Sequence, residues 1–299
     1  MKSDAGWTGW EGLPVSLSEP VLAEVLDGGQ TFRWERLPDG TWLGTWEGSV
    51  ARLRTAEDKT VQWSAPISLA SEVRRTLPRY LATSADFAVL AEALPRRTDP
   101  HLAGCLDAFP NLRILRQPIG ETLLCFLFSA TKQIVQIKQM AASVARRHGA
   151  PLGGDPVRGQ RLPSWTEIAK LSEDDLRKCL LGFRARHVHG TARYLAERPG
   201  WLEETEALPY PEAKERLMLL PGVGEKIADC VLLFGAGRLE AFPVDVWILR
   251  TMATRYGLEG WRPAQVAQFG RAHFGPLAGL AQQYLFAYER SLRPGRRRA

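Results

Sequence analysis

A lysine in a glycine-rich turn and an aspartate nineteen residues beyond it are the two side chains of this chain best placed for covalent chemistry. The turn is Leu219-Leu220-Pro221-Gly222-Val223-Gly224-Glu225-Lys226, and the aspartate is Asp245 in Phe242-Pro243-Val244-Asp245-Val246-Trp247. Pro221 cannot continue a preceding helix, and Gly222 and Gly224 are expected to tolerate positive φ. Ile227, Ala228, Val231 and Leu232 then open a second helix, so the stretch reads helix, hairpin at about 219–226, helix. Unpaired backbone N–H groups at the start of that second helix make an anion site, and phosphate is the usual occupant. Lys226 falls in the first turn, where a cation opposes the helix dipole and needs another reason to be present. Neutralising a phosphate is one such reason. Serving as an amine nucleophile is the other, since the helix dipole and desolvation would both lower its pKa. Asp245 precedes the amphipathic run Val246 to Tyr256 and is an N-cap candidate. A carboxylate locked that way can also stabilise developing positive charge.

The elements that must position these groups fall into two parts. Strand signals run over Gln30 to Glu35, Thr41 to Trp46, Ser49 to Thr55 and Lys59 to Ser64, separated by Asp39-Gly40, Glu47-Gly48 and Glu57-Asp58. Short strands with such punctuation predict an antiparallel meander. Trp34, Trp42, Trp46 and Trp63 are expected to fill one face of it. Residues 1–12 read as a loose lead-in and Ser16 to Leu26 as a short helical or extended segment. With helical patterns at 70–83, 85–94 and 99–108, residues 1–117 form an expected α+β domain. After Arg116-Gln117-Pro118 the patterns turn helical. They run over 119–130, 132–147, 164–169, 172–180, 184–197, 211–219, 225–236, 245–256, 263–272 and 278–292. An exposed Gly-, Pro- and Arg-rich loop is expected over 150–163. Residues 118–299 are thus an expected helical body of two lobes, with the site in the cleft between them.

Leu-Pro-Gly-Val-Gly-x-Lys-x-Ala-Asp-Cys followed by Pro-Val-Asp-Val resembles the helix–hairpin–helix glycosylase superfamily. Within it the chain is similar to the 8-oxoguanine DNA glycosylase/AP lyases, from about Leu13 to about Leu292. The resemblance implies an N-terminal antiparallel sheet domain with flanking helices, then a helical glycosylase body. It implies that Lys226 displaces the base at C1′ and forms a Schiff base that permits β-elimination, with Asp245 stabilising charge on the sugar. It makes the Gly29 carbonyl, in Asp27-Gly28-Gly29-Gln30, the group facing the damaged base. Cys230 would pack on one face of that base, Phe286 would stack on the other, and Gln282 would read its Watson–Crick edge. Phe183 would wedge into the duplex, and Arg184 would contact the orphaned cytosine. The hairpin amides around Gly222 and Gly224 would hold phosphate. Each has a plainer reading: turn glycine for Gly29, small buried thiol for Cys230, core aromatics for Phe286 and Phe183. Two departures stand out. Ser129-Ala130-Thr131-Lys132-Gln133 replaces a run with paired asparagines, of which the first helps fill the gap left by the flipped base. Trp247 stands where histidine is usual. The first bears on choice of the opposite base, the second on phosphate contacts near the lesion.

Composition agrees with such a partner without demanding it. The chain has 299 residues, 45% hydrophobic and 24% charged, a net charge of +6 and pI ≈ 9.3, which suits a polyanion. Only eight of the 39 basic residues are lysines, so Lys226 is less easily dismissed as surface filler. Four scattered cysteines with no Cys-x-x-Cys pair argue for reduced thiols and against structural zinc. No membrane span and no basic-then-apolar leader is visible. The expected protein is a bifunctional glycosylase/lyase that excises 8-oxoguanine, and formamidopyrimidine purines, from double-stranded DNA by flipping the base. It is expected to act as a monomer with no membrane, no cofactor and no metal in the chemistry. Its expected place is the nucleoid-bearing cytoplasm if bacterial, the nucleus if eukaryotic. A monofunctional alkylated-base glycosylase is opposed by Lys226. A non-catalytic helix–hairpin–helix DNA-binding protein is opposed by the joint presence of Lys226, Asp245, Gln282 and Gly29. Iron–sulfur relatives are excluded because no cysteine follows Cys230.

Overall fold

The computed structural model describes residues 6–152 and 159–292. The C-terminal tail, part of the lead-in and the middle of the expected 150–163 loop lie outside them. The chain opens with β1 (Glu11–Ser16), α1 (Glu19–Asp27), β2 (Trp34–Arg36), β3 (Trp42–Trp46), β4 (Ser49–Thr55) and β5 (Thr60–Ser64). The strands form one antiparallel sheet in the order β1-β5-β4-β3-β2. α2 (Ala70–Tyr80), α3 (Phe87–Glu92) and α4 (Pro100–Ala108) follow. Trp34 stacks on Trp46 at 5.9 Å, and the Tyr80 ring of α2 lies 4.9 Å from Trp46. The Trp34 indole donates to the Tyr80 hydroxyl at 3.0 Å, so the aromatic layer also satisfies its polar edges. β1 is a departure, because the loose lead-in and the following segment contain a strand. Leu13 and Val15 face the core in alternation. Pro14 argues against a strand, but β1 is at the sheet edge, where a missing N–H is tolerated.

The body comprises α5 (Ile119–Leu127), α6 (Ile134–His148), α7 (Trp165–Ile168), α8 (Glu173–Leu176), α9 (Arg184–Ala196) and α10 (Trp201–Ala207). α11 (Tyr210–Leu217), α12 (Glu225–Phe234), α13 (Val246–Tyr256), α14 (Pro263–Phe274) and α15 (Ala278–Ser291) complete it. α10 was not legible in the sequence; it is a seven-residue helix entered from Gly200 at φ 83°. α12 is the central helix of the body. Every residue from Ile227 to Phe234 is buried, and it packs along α5. Truncating one of its leucines to alanine would cost about 2–5 kcal/mol at a site this enclosed. Its one buried charge, Asp229, accepts from the Tyr210 hydroxyl at 2.7 Å and Lys214 at 3.1 Å, as a buried carboxylate requires. No helix among the described residues is long and apolar enough to cross a membrane.

Sheet domain and body are stitched at one point that matters for the site. Fully buried Gln30 donates to the Arg113 carbonyl at 2.9 Å and accepts from the Leu115 amide at 3.0 Å. The Gln30 carbonyl accepts from Gln117 at 2.7 Å, and the Gln117 amide donates to the carbonyl of Phe234, the last residue of α12. The residues just after α1 are thereby carried to the helix that bears Lys226.

Candidate active site

Lys226 is the second residue of α12, and its helix starts where the hairpin ends. Gly222 sits at φ 82°, and a Cβ there would lie 2.7 Å from the His187 side chain of α9. The turn therefore needs glycine twice over, for its backbone and for close packing. The Pro221 carbonyl accepts from Thr191 of α9 at 3.1 Å, which fixes the hairpin on that helix. Gly224 corrects an expectation: its φ is −100° with extended ψ, so no left-handed conformation is required. It is exposed, and nothing lies within 4 Å of where its Cβ would be. The absence of a side chain leaves the first amides of α12 open to an anion.

The Lys226 amine points back over the body. Nζ donates to Ser129 Oγ at 3.1 Å and lies 5.3 Å from the Phe126 ring centre. Ser129 Oγ in turn donates to the Phe126 carbonyl at 2.7 Å. Phe126 is held edge-on by Phe32 and stacked on Phe234 at 5.6 Å. Cys230, one turn along α12, is 3% exposed, and burial pushes its thiol up to about 12 despite the opposing pull of Lys226. It is therefore a neutral, polarizable wall.

Asp245 is the N-cap of α13, as its position predicts. Its Oδ1 accepts from the Trp247 amide at 3.0 Å and the Ile248 amide at 2.9 Å. Burial raises the carboxyl above its ordinary range, outweighing those amides and Lys226, which favour ionisation. Trp247 is half-buried in the first turn of the same helix.

Lys226, Phe126, Cys230 and Asp245 bound one pocket with Gly29, Gln282, Gln283 and Phe286. Gly29 has φ 103°, and a Cβ there would meet Ile134 at 3.0 Å and Phe286 at 3.8 Å. α15 sets the opposite wall, with Gln282, Phe286 and Arg290 at successive i, i+4 positions on one face. Arg290 donates to the carbonyls of Asp27 and Gly28 and to Glu24 Oε1 at 2.9 Å, clamping α1 against α15 just before Gly29. The cavity measures about 50 Å³.

A second group lies on the outer rim. Phe183, the expected wedge, is 56% exposed. Arg184 is not the surface cation that its sequence neighbours suggest. It is 3% exposed, and its guanidinium donates to the carbonyls of Ala130 and Leu181 and, at 3.0 Å, to Thr131 Oγ1. Thr131 is exposed at φ 56°, a rare conformation for a β-branched residue. Sequence reasoning missed Ser129 and Phe126 as partners of the lysine, and Gln283 as a pocket residue. No local signal marks the first two, whereas a second polar residue on an apolar helix face was a readable sign for Gln283.

Known proteins resemble this chain over most of its length. Residues 12–123 match the family model for the 8-oxoguanine DNA glycosylase N-terminal domain. The N-glycosylase/DNA lyase OGG1 of Arabidopsis thaliana is 30% identical over 294 residues, which is 94% of this chain and 80% of the plant protein. The chain belongs to the 8-oxoguanine DNA glycosylase/lyase family. The N-glycosylase/DNA lyase of Saccharomyces cerevisiae is a further family member, 28% identical over 82% of this chain and 70% of its own length. The 8-oxoguanine glycosylase/lyase of Clostridium acetobutylicum, solved with double-stranded DNA carrying cytosine opposite 8-oxoguanine, superposes with a TM-score of 0.84. It is 29% identical over 96% of this chain and 99% of that one.

Proposed function

We propose that this chain is a bifunctional DNA glycosylase/AP lyase that removes 8-oxoguanine from double-stranded DNA. The observation that carries the reading is the convergence of the Lys226 amine, the Asp245 carboxylate and the Gly29 backbone on one pocket. The flipped nucleotide would place its base between Cys230 and Phe286 and its sugar toward Lys226 and Asp245. The Lys226 nitrogen forms a bond to C1′ while the bond from C1′ to the base nitrogen breaks, its electron pair leaving with the base. Opening of the sugar ring gives an imine, loss of a C2′ proton follows, and the 3′ phosphate departs. Asp245 stabilises positive charge on the sugar through the first step. Gly29 offers its carbonyl to N7–H, a donor in 8-oxoguanine and a lone pair in guanine. Formamidopyrimidine purines also carry an N–H on that side, which supports them as substrates. Gln282 takes the Watson–Crick edge. Phe183 and Arg184, with Thr131, act at the gap in the duplex, and Gly222, Gly224 and Trp247 act at the phosphates. The sheet domain through residue 117 supplies Gly29 and the body from 118 the rest, so one chain holds a complete site, consistent with a monomer.

Reduction with borohydride tests the covalent step. The wild type should cross-link to duplex containing 8-oxoguanine, and Lys226→Gln should bind the same duplex without cross-linking. Undiminished cross-linking by the variant would assign the chemistry to another amine.

A further inference from the structure

Two buried side-chain atoms in the pocket wall have no hydrogen-bond partner: Gln282 Oε1 and Gln283 Nε2. Gln282 is 5% exposed and Gln283 only 2%, and both atoms are shielded by the surrounding side chains. Buried polar atoms in folded proteins nearly always have partners, because leaving one unpaired forfeits its hydration for nothing. Gln283 is the more anomalous of the two. It stands on α15 among Ala281, Tyr284 and Leu285, all fully buried, where an apolar side chain would pack at no such cost. It lies three residues before Phe286, so the two share the helix face that lines the pocket.

The unpaired atoms are one acceptor and one donor, carried by adjacent residues. The Watson–Crick edge of guanine and of 8-oxoguanine presents their complement: the 6-oxygen accepts, and N1–H and N2–H beside it donate. We propose that Gln283 is a second base-reading residue, donating from Nε2 to the 6-oxygen of the flipped base while Gln282 Oε1 accepts from N1–H and N2–H. This rests on the functional reading above and divides between two side chains the recognition first assigned to Gln282 alone. It has a consequence for selectivity. An adenine-derived lesion carries a 6-amino group in place of the 6-oxygen and would set donor against donor at Gln283.

The test uses Gln283→Met and Gln283→Leu, which remove the carboxamide while filling similar space. Single-turnover excision of 8-oxoguanine opposite cytosine is divided by cleavage of a pre-formed abasic site in the same preparation, so that the folded fraction cancels. That ratio should fall roughly 10- to 100-fold, the range expected for one hydrogen bond lost in a desolvated pocket. The melting temperature should hold or rise, because an unpaired buried group has gone. On 2-amino-8-oxopurine, which lacks the 6-oxygen and with it the N1 proton, the change at N1 falls on Gln282 in wild type and variants alike, and the two should agree within about 3-fold. A wild-type ratio in the variants would overturn the proposal, as would an equal loss on both lesions. Loss of melting temperature with an unchanged ratio would show that Gln283 only packs. A wild type that fails to excise 8-oxoguanine at all would defeat the functional reading itself, a distinct result read before any variant is made.

Discussion

Gln282 and Arg184 are buried to a similar degree, at 5% and 3% exposed, yet only the arginine has each side-chain nitrogen bonded by its own protein. The Gln282 oxygen has no partner, whereas the Arg184 guanidinium is bound by two backbone carbonyls and a threonine hydroxyl. The base pocket is therefore built with polar capacity held open, and a correctly matched base relieves a cost already present in the free protein. The rim is built the other way. To read an opposite base, Arg184 must share or exchange bonds it already makes, so its net gain is smaller. Backbone strain divides similarly. In the pocket, left-handed φ falls on Gly29, where it is cheap. At the rim it falls on Thr131 and on the exposed Leu180, three residues before Phe183, where it costs about 1–3 kcal/mol each. On the proposed reading, the damaged base would meet open polar capacity in the pocket, and its partner base would meet an arginine already engaged at the rim.

The largest effect is expected at Asp245. Asp245→Asn should slow base release by roughly 100-fold or more, the scale of one lost electrostatic stabiliser. Asparagine caps helices about as well as aspartate, so melting should be unaffected at acid pH. Because burial raises the carboxyl, activity in the wild type should fall on acidification at a pH above the usual carboxylate value of about 3.9. Stability runs in the opposite sense. A raised carboxyl contributes most below its unfolded pKa, and that contribution is lost as pH rises through the folded value. Asp245→Asn should therefore gain on wild type in melting temperature from acid toward neutral pH. Near-normal single-turnover rates with a lowered melting point would reduce Asp245 to a cap.

Gly29→Ala comes next. The added methyl meets Ile134 at 3.0 Å, and the φ of 103° is hostile to alanine. Loss of the N7 contact alone is worth about 5- to 150-fold, from an unsatisfied group of about 1–3 kcal/mol. Excision of 8-oxoguanine should fall at least that far relative to cleavage of a pre-formed abasic site. Normal excision by this variant would show that Gly29 is not the N7 reader.

The smallest effect is at the rim. Excision rates should differ by less than about 10-fold among the four opposite bases, because a contact drawn from an already satisfied arginine gains little. Thr131→Asn should widen that spread in favour of cytosine. It should also stabilise the fold by up to about 1 kcal/mol, since asparagine enters the left-handed region far more readily than threonine. Strict dependence on cytosine in the wild type would reverse the contrast drawn between pocket and rim.

Much of this was readable before any fold was known. The hairpin, the helix behind Lys226 and the cap at Asp245 are local devices, specified by residue type over a few positions. Most strand and helix spans follow periodicity and turn residues in the same way, but the expected strand Gln30 to Glu35 is shortened to Trp34–Arg36, and the expected helix 172–180 gives way after Leu176 to a wider turn with Leu180 at φ 69°. β1 and α10 escaped because Pro14 masks an edge strand and seven residues are too few to display a helical period. Gly224 was misjudged because a glycine can be required for open space as well as for positive φ.

Residue type and local spacing mark which residues could carry the chemistry: an amine on a helix start, a capping carboxylate, and a glutamine and aromatic one turn apart. Only the tertiary structure decided that these meet. Gly29 reaches the pocket through Gln30, Gln117 and Arg290, contacts spanning 83 to 266 residues. Ser129 finds Lys226 across 97. The burial of Arg184 and the unpaired amide of Gln283 were equally invisible, because burial and hydrogen-bond satisfaction depend on every element packed around a side chain. Local propensity acts over a few residues, whereas the pocket is assembled by contacts between elements far apart in the chain.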